Sequence, residues 1–206
     1  KQLSEFWDDL DEIIEVDGEL KKHYTGTIYL EETQASTDDK WLSGVKFYNI
    51  VDGQQRLTTI SILLFELLKV ADRCYCEESR EDLIKTYLSK SNASGESKVY
   101  KFSYSVNDKN YYFLLHSIFE DPKIVLQPNY QNHYTKKLSE AKAFFASKID
   151  SITYEQSEIL FKKVTTSLQF DIRTIEKDLD VQAVFETMNN RGKLLSTLEK
   201  LKNRLI

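Results

Sequence analysis

The sequence predicts an α+β fold: a small α/β core in which a strand runs straight into a long helix, elaborated by a mostly helical insertion. Three observations predict it. Residues 23–30 and 45–51 alternate β-branched or aromatic side chains with polar ones, the period-two pattern of a half-buried strand pair. Over 55–75, Leu57, Ile60, Leu63, Leu64, Leu67 and Leu68 recur every three to four positions, as in a helix buried on a broad face. Between these two patterns stand only Asp52-Gly53-Gln54, too few residues for a loop, and beyond them helical spacing dominates to about residue 166.

In chain order, Leu3, Phe6, Trp7, Leu10, Ile13 and Ile14 place an amphipathic helix over 3–16, with Asp8, Asp9, Asp11, Glu12 and Glu15 on its solvated face. Asp17-Gly18 is a turn signal, and the polar segment EETQASTDDKWLSG is a hairpin-type loop between the first two strands. Cys74 and Cys76 fall at the end of the long helix, where positions two apart diverge by roughly 200° and cannot form an ordinary disulfide. A short helix is expected at 79–88, a flexible loop at 90–97 (KSNASGES) and a β-like stretch at 99–104. Helices follow over 107–119, 131–149 and 153–166, then a strand over 168–175 and a helix over 181–188. Ser196 and Glu199 form a capping box for a last helix. The expected organisation is a core over 1–75, an insertion over 76–166 and a return to the core over 167–206, packed as a single compact unit and cut at both ends from a longer chain.

Composition narrows the function classes. With 41% hydrophobic residues in 206, the chain can bury a sizeable core. Its formal net charge of -5 repels a polyanion unless basic groups gather on one face, so nucleic acid is not this segment's obvious partner. No apolar run approaches the ~20 residues that span a bilayer, and the start KQLSEFWDDL is too acidic for a signal peptide, so a soluble, reduced, cytoplasmic protein without a membrane partner is expected. Only six of the 28 basic residues are Arg, and two of them, Arg56 and Arg191, fall beside turns.

Those two turns are the candidates for chemistry. At 49–59 (NIVDGQQRLTT) a helix start offers unpaired backbone N–H groups and the positive end of its dipole, which suit a phosphate. Gly53 permits close backbone approach, and Arg56 adds a bidentate fork. Asp52 can hold a divalent cation or orient a water, Gln54 and Gln55 can donate to phosphate oxygens or a base edge, and Thr58 and Thr59 add hydroxyls one turn in. On the residues alone, the plainer reading is a helix capped by Asp52 and a turn made by Gly53. At 189–193 (NNRGK) a helix ends on a glycine cap that places Asn190 and Arg191 beside a turn, and a solvated Arg191 explains it as well. Were both turns to meet, two guanidinium groups would converge on one anion.

Elsewhere the signals are weaker. His23, His116 and His133 lack zinc spacing, and there is neither a P-loop nor a Ser-His-Asp order. Tyr100, Phe102, Tyr104, Tyr111, Tyr112 and Phe113 lack the surrounding Lys and Arg of a base-stacking surface and read as core of the insertion.

The strings VDGQQRLTT (51–59), FETMNNRG (185–192), Leu195-Ser196 and Leu201-Lys202-Asn203, with TGTIYL (25–30) before them, resemble the paired signatures of the GmrSD-type restriction endonuclease N-terminal domain over nearly the whole chain. Members of that family start with an element resembling Ile-Pro-x-Tyr-Gln-Arg, after which this chain begins. The resemblance implies a ParB/sulfiredoxin-like fold whose DGQQR turn binds and hydrolyses a nucleoside triphosphate with Mg2+. It implies catalytic roles for Asp52 and Arg56, with Asp52 also the Mg2+ ligand, and nucleotide contacts from Gly53, Gln54, Gln55, Thr58, Thr59, Asn190 and Arg191. It further implies a part in restricting foreign, often modified, DNA, with the triphosphate controlling a C-terminal nuclease region and DNA engaged through the full-length protein. Two alternatives stand beside this: a module that senses nucleotide without hydrolysing it, and a ParB-like domain that itself binds or cuts DNA.

Overall fold

The computed structural model describes residues 1–34, 41–42, 44–71, 74–126 and 130–176. The fold is α+β. Its chain divides into two compact units, one formed by Lys1–Thr25 with Gln55–Gln169, the other by Gly26–Gln54 with the chain from Phe170 onward.

The first unit is built around one apolar cluster. Helix α1 (Gln2–Asp11) buries Trp7 and Leu10. It stops five residues short of the expected end because Asp17 (φ 55) and Gly18 (φ 82) form a turn with both central residues at positive φ, the geometry that joins two short antiparallel strands, β1 (Glu15–Val16) and β2 (Glu19–Leu20). Ile14 and Val16, assigned by spacing alone to the helix or its edge, are exposed there.

Helix α2 (Gln54–Val70) supplies the centre of the core with Ile62, Leu63, Leu64, Leu67 and Leu68. It too ends before its expected limit at 75. Arg80 Nε donates to the Leu68 carbonyl at 2.6 Å, satisfying an acceptor that the helix end leaves open. Cys74 and Cys76 are therefore not helical. Cys74 lies on strand β5 (Cys74–Tyr75), paired with β6 (Glu78–Ser79), and Cys76 sits in the connecting turn at φ 52 as a free thiol. Pulling Tyr75 off the helix buries it completely against Phe161 and Tyr154, with ring centroids 5.3 Å apart in both pairs.

Helix α3 (Arg80–Tyr87) is capped by Ser79, whose side chain accepts from the Asp82 N–H. The segment expected as a loop at 90–97 is partly strand: β7 (Ser89–Ser91) pairs with β8 (Lys98–Tyr100), so only 92–97 forms the connection. The helix expected over 107–119 begins late, at α4 (Tyr111–Phe113), because Asp108 Oδ1 takes the Asn110 N–H at 2.7 Å in a local turn. A π-helical turn, Leu114–Ile118, continues it. Helices α5 (His133–Asp150) and α6 (Tyr154–Lys162) each begin with a capping box, Asn132/Thr135 and Thr153/Gln156. The end of the helix expected over 153–166 widens into a second π turn, Lys163–Ser167, where the Thr165 and Thr166 hydroxyls donate back to the Phe161 and Lys162 carbonyls at 2.8 and 2.7 Å. Tyr100, Phe102, Tyr104, Tyr111 and Phe113 pack into or against the apolar cluster, as their composition suggested, with Tyr100 stacked on Phe119 at 5.2 Å.

The second unit contains the main sheet, in the order β4-β3-β9. Strands β3 (His23–Thr33) and β4 (Phe47–Asp52) are antiparallel, with Thr33 opposite Phe47 and Tyr29 opposite Asp52, and an irregularity between Tyr29 and Leu30. The expected strand pair is thus three-stranded, because β9 (Leu168–Ile175) pairs on the other side of β3. Ile28 and Ile175 are its buried apolar residues at 3% and 6% exposure. The expected helix over 181–188, the NNRGK turn and the final capped helix lie outside the described residues.

Candidate functional site

Strand β4 ends at Asp52, Gly53 turns the chain, and α2 starts at Gln54, as the alternation and the helical period required. Gly53 is buried at φ +98, a conformation L-residues rarely adopt, and a Cβ there would stand 3.1 Å from Ile28 Cγ1. The glycine is therefore fixed by its backbone and by packing of β3 against the turn, whatever else approaches it.

Within the first unit, the opening turns of α2 form one wall of a cleft of about 570 Å³. Gln55, Arg56, Thr58 and Thr59 line it, opposite Leu3 and Phe6 of α1 and Tyr134, Lys137 and Glu140 of α5. Its charged lining comprises Lys1, Arg56 and Lys137 against the single carboxylate of Glu140. No acidic residue stands in the first turn of α2, the positive end of its dipole.

The hydroxyls differ in role. Thr59 Oγ1 donates to the Gln55 carbonyl at 2.9 Å, which commits its proton to the helix and leaves its lone pairs to accept. Thr58 is buried, 5% exposed, and its hydroxyl lies 3.3 Å from that of Tyr104. The Tyr104 hydroxyl in turn lies 2.9 Å from that of Tyr134. Burial pushes the Tyr104 phenol far above its usual range, so it remains a neutral donor and acceptor between the two.

Of the nine residues singled out from sequence, Gln55, Arg56, Thr58 and Thr59 share this cleft. Asp52, Gly53 and Gln54 precede it in the chain, at the end of the sheet unit. Asn190 and Arg191 lie outside the described residues. Tyr104, Tyr134 and Lys137 were missed. They sit some 45 to 80 positions downstream, and their only local signal was helical or aromatic spacing, which assigns them to packing. Among the described residues no group of three or more His, Cys, Asp and Glu side chains is arranged to hold a metal ion, and no helix is long and apolar enough to cross a membrane.

The fold and the cleft define an α+β domain whose main helix opens, at its N-terminal turn, onto a groove whose charged lining is mostly cationic. The model of the GmrSD restriction endonuclease N-terminal domain family matches residues 1–206, and the chain belongs to that family. It is accordingly a domain of a restriction system. A search of curated proteins finds no match.

Proposed function

We propose that this domain binds and hydrolyses a nucleoside triphosphate, and that turnover controls the C-terminal nuclease region through which the full-length protein acts on foreign DNA. One observation carries the reading: Gln55, Arg56, Thr58 and Thr59, read from sequence as phosphate ligands, line one cationic cleft at the positive end of a 17-residue helix. A cleft of about 570 Å³ lies within the range of small-ligand sites, roughly 300–1,000 Å³.

In this reading the phosphates lie against the first turn of α2. Arg56 supplies a two-pronged contact and neutralises charge as the terminal phosphoryl group leaves, so that catalysis is positioning and electrostatics. Gln54 and Gln55 donate to phosphate oxygens or the base, and Thr58 and Thr59 complete the wall. The donor set suits Mg2+, which is commonly held by one or two carboxylates plus the phosphates themselves: Asp52 would hold it, and the ion would offset the charge of the phosphate chain. Asn190 and Arg191 would add a second guanidinium from the far signature, and the ParB/sulfiredoxin-like core would be the frame presenting the turn.

Phosphate release by the full-length protein, wild type against Arg56→Ala, tests the assignment. A fall of about a hundredfold is expected for loss of one charge-stabilising donor. Equal rates reject it, and tight triphosphate binding with no turnover in the wild type replaces hydrolysis with sensing.

A further inference from the structure

We propose that the apolar part of this cleft is a nucleobase subsite, with the base packed on Leu3 and Phe6 of α1 while its phosphates reach the first turn of α2. The inference rests on reading the cleft as a triphosphate site, and it names Phe6 as the residue against which the base lies.

The lining divides by chemistry. Arg56, Thr59 and Lys137 offer charge or hydrogen bonds, whereas Leu3, Phe6, Ile60, Leu138 and Ala141 offer neither. A bare polyanion has use for the first set alone, because an ion placed against apolar groups loses water and gains nothing in return. An apolar pocket with a few placed polar groups is the usual form of a site for an organic ligand, and a nucleotide joins a flat, weakly polar ring to a charged chain. About 570 Å³ is room for such a ligand whole, not only for its phosphates.

The apolar stripe of α1 shows where the ring would lie. Leu3, Phe6, Trp7 and Leu10 share one face by their spacing. The core seals only the second half of that stripe: Trp7 and Leu10 are 5% and 0% exposed, while Leu3 and Phe6 are half-buried and line the cleft. Trp7 is held between two rings, those of Phe144 and Phe145 at 6.5 and 6.4 Å. Phe6 meets Phe145 alone among the described residues, at 6.4 Å with the planes at 80°, an edge contact that covers at most one face of its ring. Lys163 Nζ donates to the Leu10 carbonyl at 2.9 Å and fixes the far end of α1, so this wall is formed in advance of any ligand.

Equilibrium titration of the full-length protein in Mg2+ decides the matter, with inorganic triphosphate and with the β,γ-imido analogues of the four common ribonucleoside triphosphates as ligands. The readout is the affinity for the best-bound nucleotide divided by that for inorganic triphosphate. Partial unfolding lowers both affinities together and leaves this ratio unchanged, so a merely structural role for Phe6 would not move it. In the wild type the ratio should be about ten or more. Phe6→Ala should lower it about fivefold to a hundredfold, the effect of losing one base–aromatic stack. Phe6→Leu, which keeps apolar bulk on the helix and guards against a failure of the alanine variant to fold, should lower it about twofold to tenfold. Arg56→Ala should weaken both ligands and leave the ratio where it was. The subsite is overturned if the wild type holds no nucleotide more tightly than inorganic triphosphate, or if the folded Phe6 variants keep the wild-type ratio. A wild type that binds none of the five ligands, or an Arg56→Ala variant that binds inorganic triphosphate as well as the wild type does, refutes the phosphate reading itself and the subsite with it.

Discussion

Gly53→Ala tests the junction at its tightest point. Two costs add at this position. An L-residue at φ +98 sits outside its favoured regions, which costs about 1–2 kcal/mol. The new methyl would also stand 3.1 Å from Cγ1 of Ile28, a residue 3% exposed in β3, and shifting a packed side chain costs about 1 kcal/mol or more. The sum is a loss of roughly 2–3 kcal/mol. Gly18→Ala separates the two contributions, because Gly18 has φ +82 but a Cβ there meets nothing within 4 Å, so it carries the backbone cost alone. Urea denaturation of both variants gives the difference directly. A cycle with Ile28→Ala, which deletes Cγ1, should recover about 1 kcal/mol of the Gly53→Ala loss as a coupling energy. Equal losses at Gly53 and Gly18, with no coupling to Ile28, would refute the packing argument and return the glycine to a role in ligand approach.

Two charged groups in the first unit make opposite pH predictions. Glu66 is 4% exposed on α2 with Oε1 lacking a hydrogen-bond partner; burial raises its pKa, while Lys142, 3.9 Å away, and Lys69 only partly oppose this. Its folded form therefore binds a proton more readily than the unfolded chain, so stability falls as pH rises above the ordinary carboxylate range. Glu66→Gln should remove that fall and stabilise by on the order of 1 kcal/mol at neutral pH, since Lys142 keeps the Ser117 and Ile118 carbonyls and Glu120; parallel pH profiles of the two proteins would contradict it. Asp121 runs the other way: burial raises its pKa, but the Tyr100 hydroxyl at 2.6 Å, the Lys123 N–H and Lys98 outweigh this and leave it below the usual value. Its contribution is present above the unfolded carboxylate pKa and is lost as pH falls through the lower folded one, so Asp121→Asn should be destabilised at pH 7, by about 1–3 kcal/mol, and lose less on acidification than the wild type does; equal acid sensitivity would count against the network.

Local signals carried much of this fold. The elements α2, α5, β3, β4 and β9 each begin close to where side-chain periodicity placed them, and Ser79, Asn132 and Thr153 cap their helices from positions recognisable in the chain. The errors fall where two local rules compete or where a distant group intervenes. Asp17-Gly18 truncates α1 by making a hairpin, and Arg80, reaching back to the Leu68 carbonyl, marks the end of α2. The β7–β8 pairing drew a strand out of a segment rich in turn residues. For the site, the sequence by itself determined the junction, because Asp52, Gly53 and Gln54 leave the chain one way to pass from strand to helix, and that order alone sets Gln55 to Thr59 on a helix N-terminus. The tertiary structure decided the rest: which surface faces that terminus, and that Tyr134 and Lys137 of α5 line the same cleft, with Tyr104 bonded between Thr58 and Tyr134. The reason is range. Periodicity and capping act over one or two turns of chain, whereas a hydroxyl bond bridging 46 positions exists only after the core has packed around it.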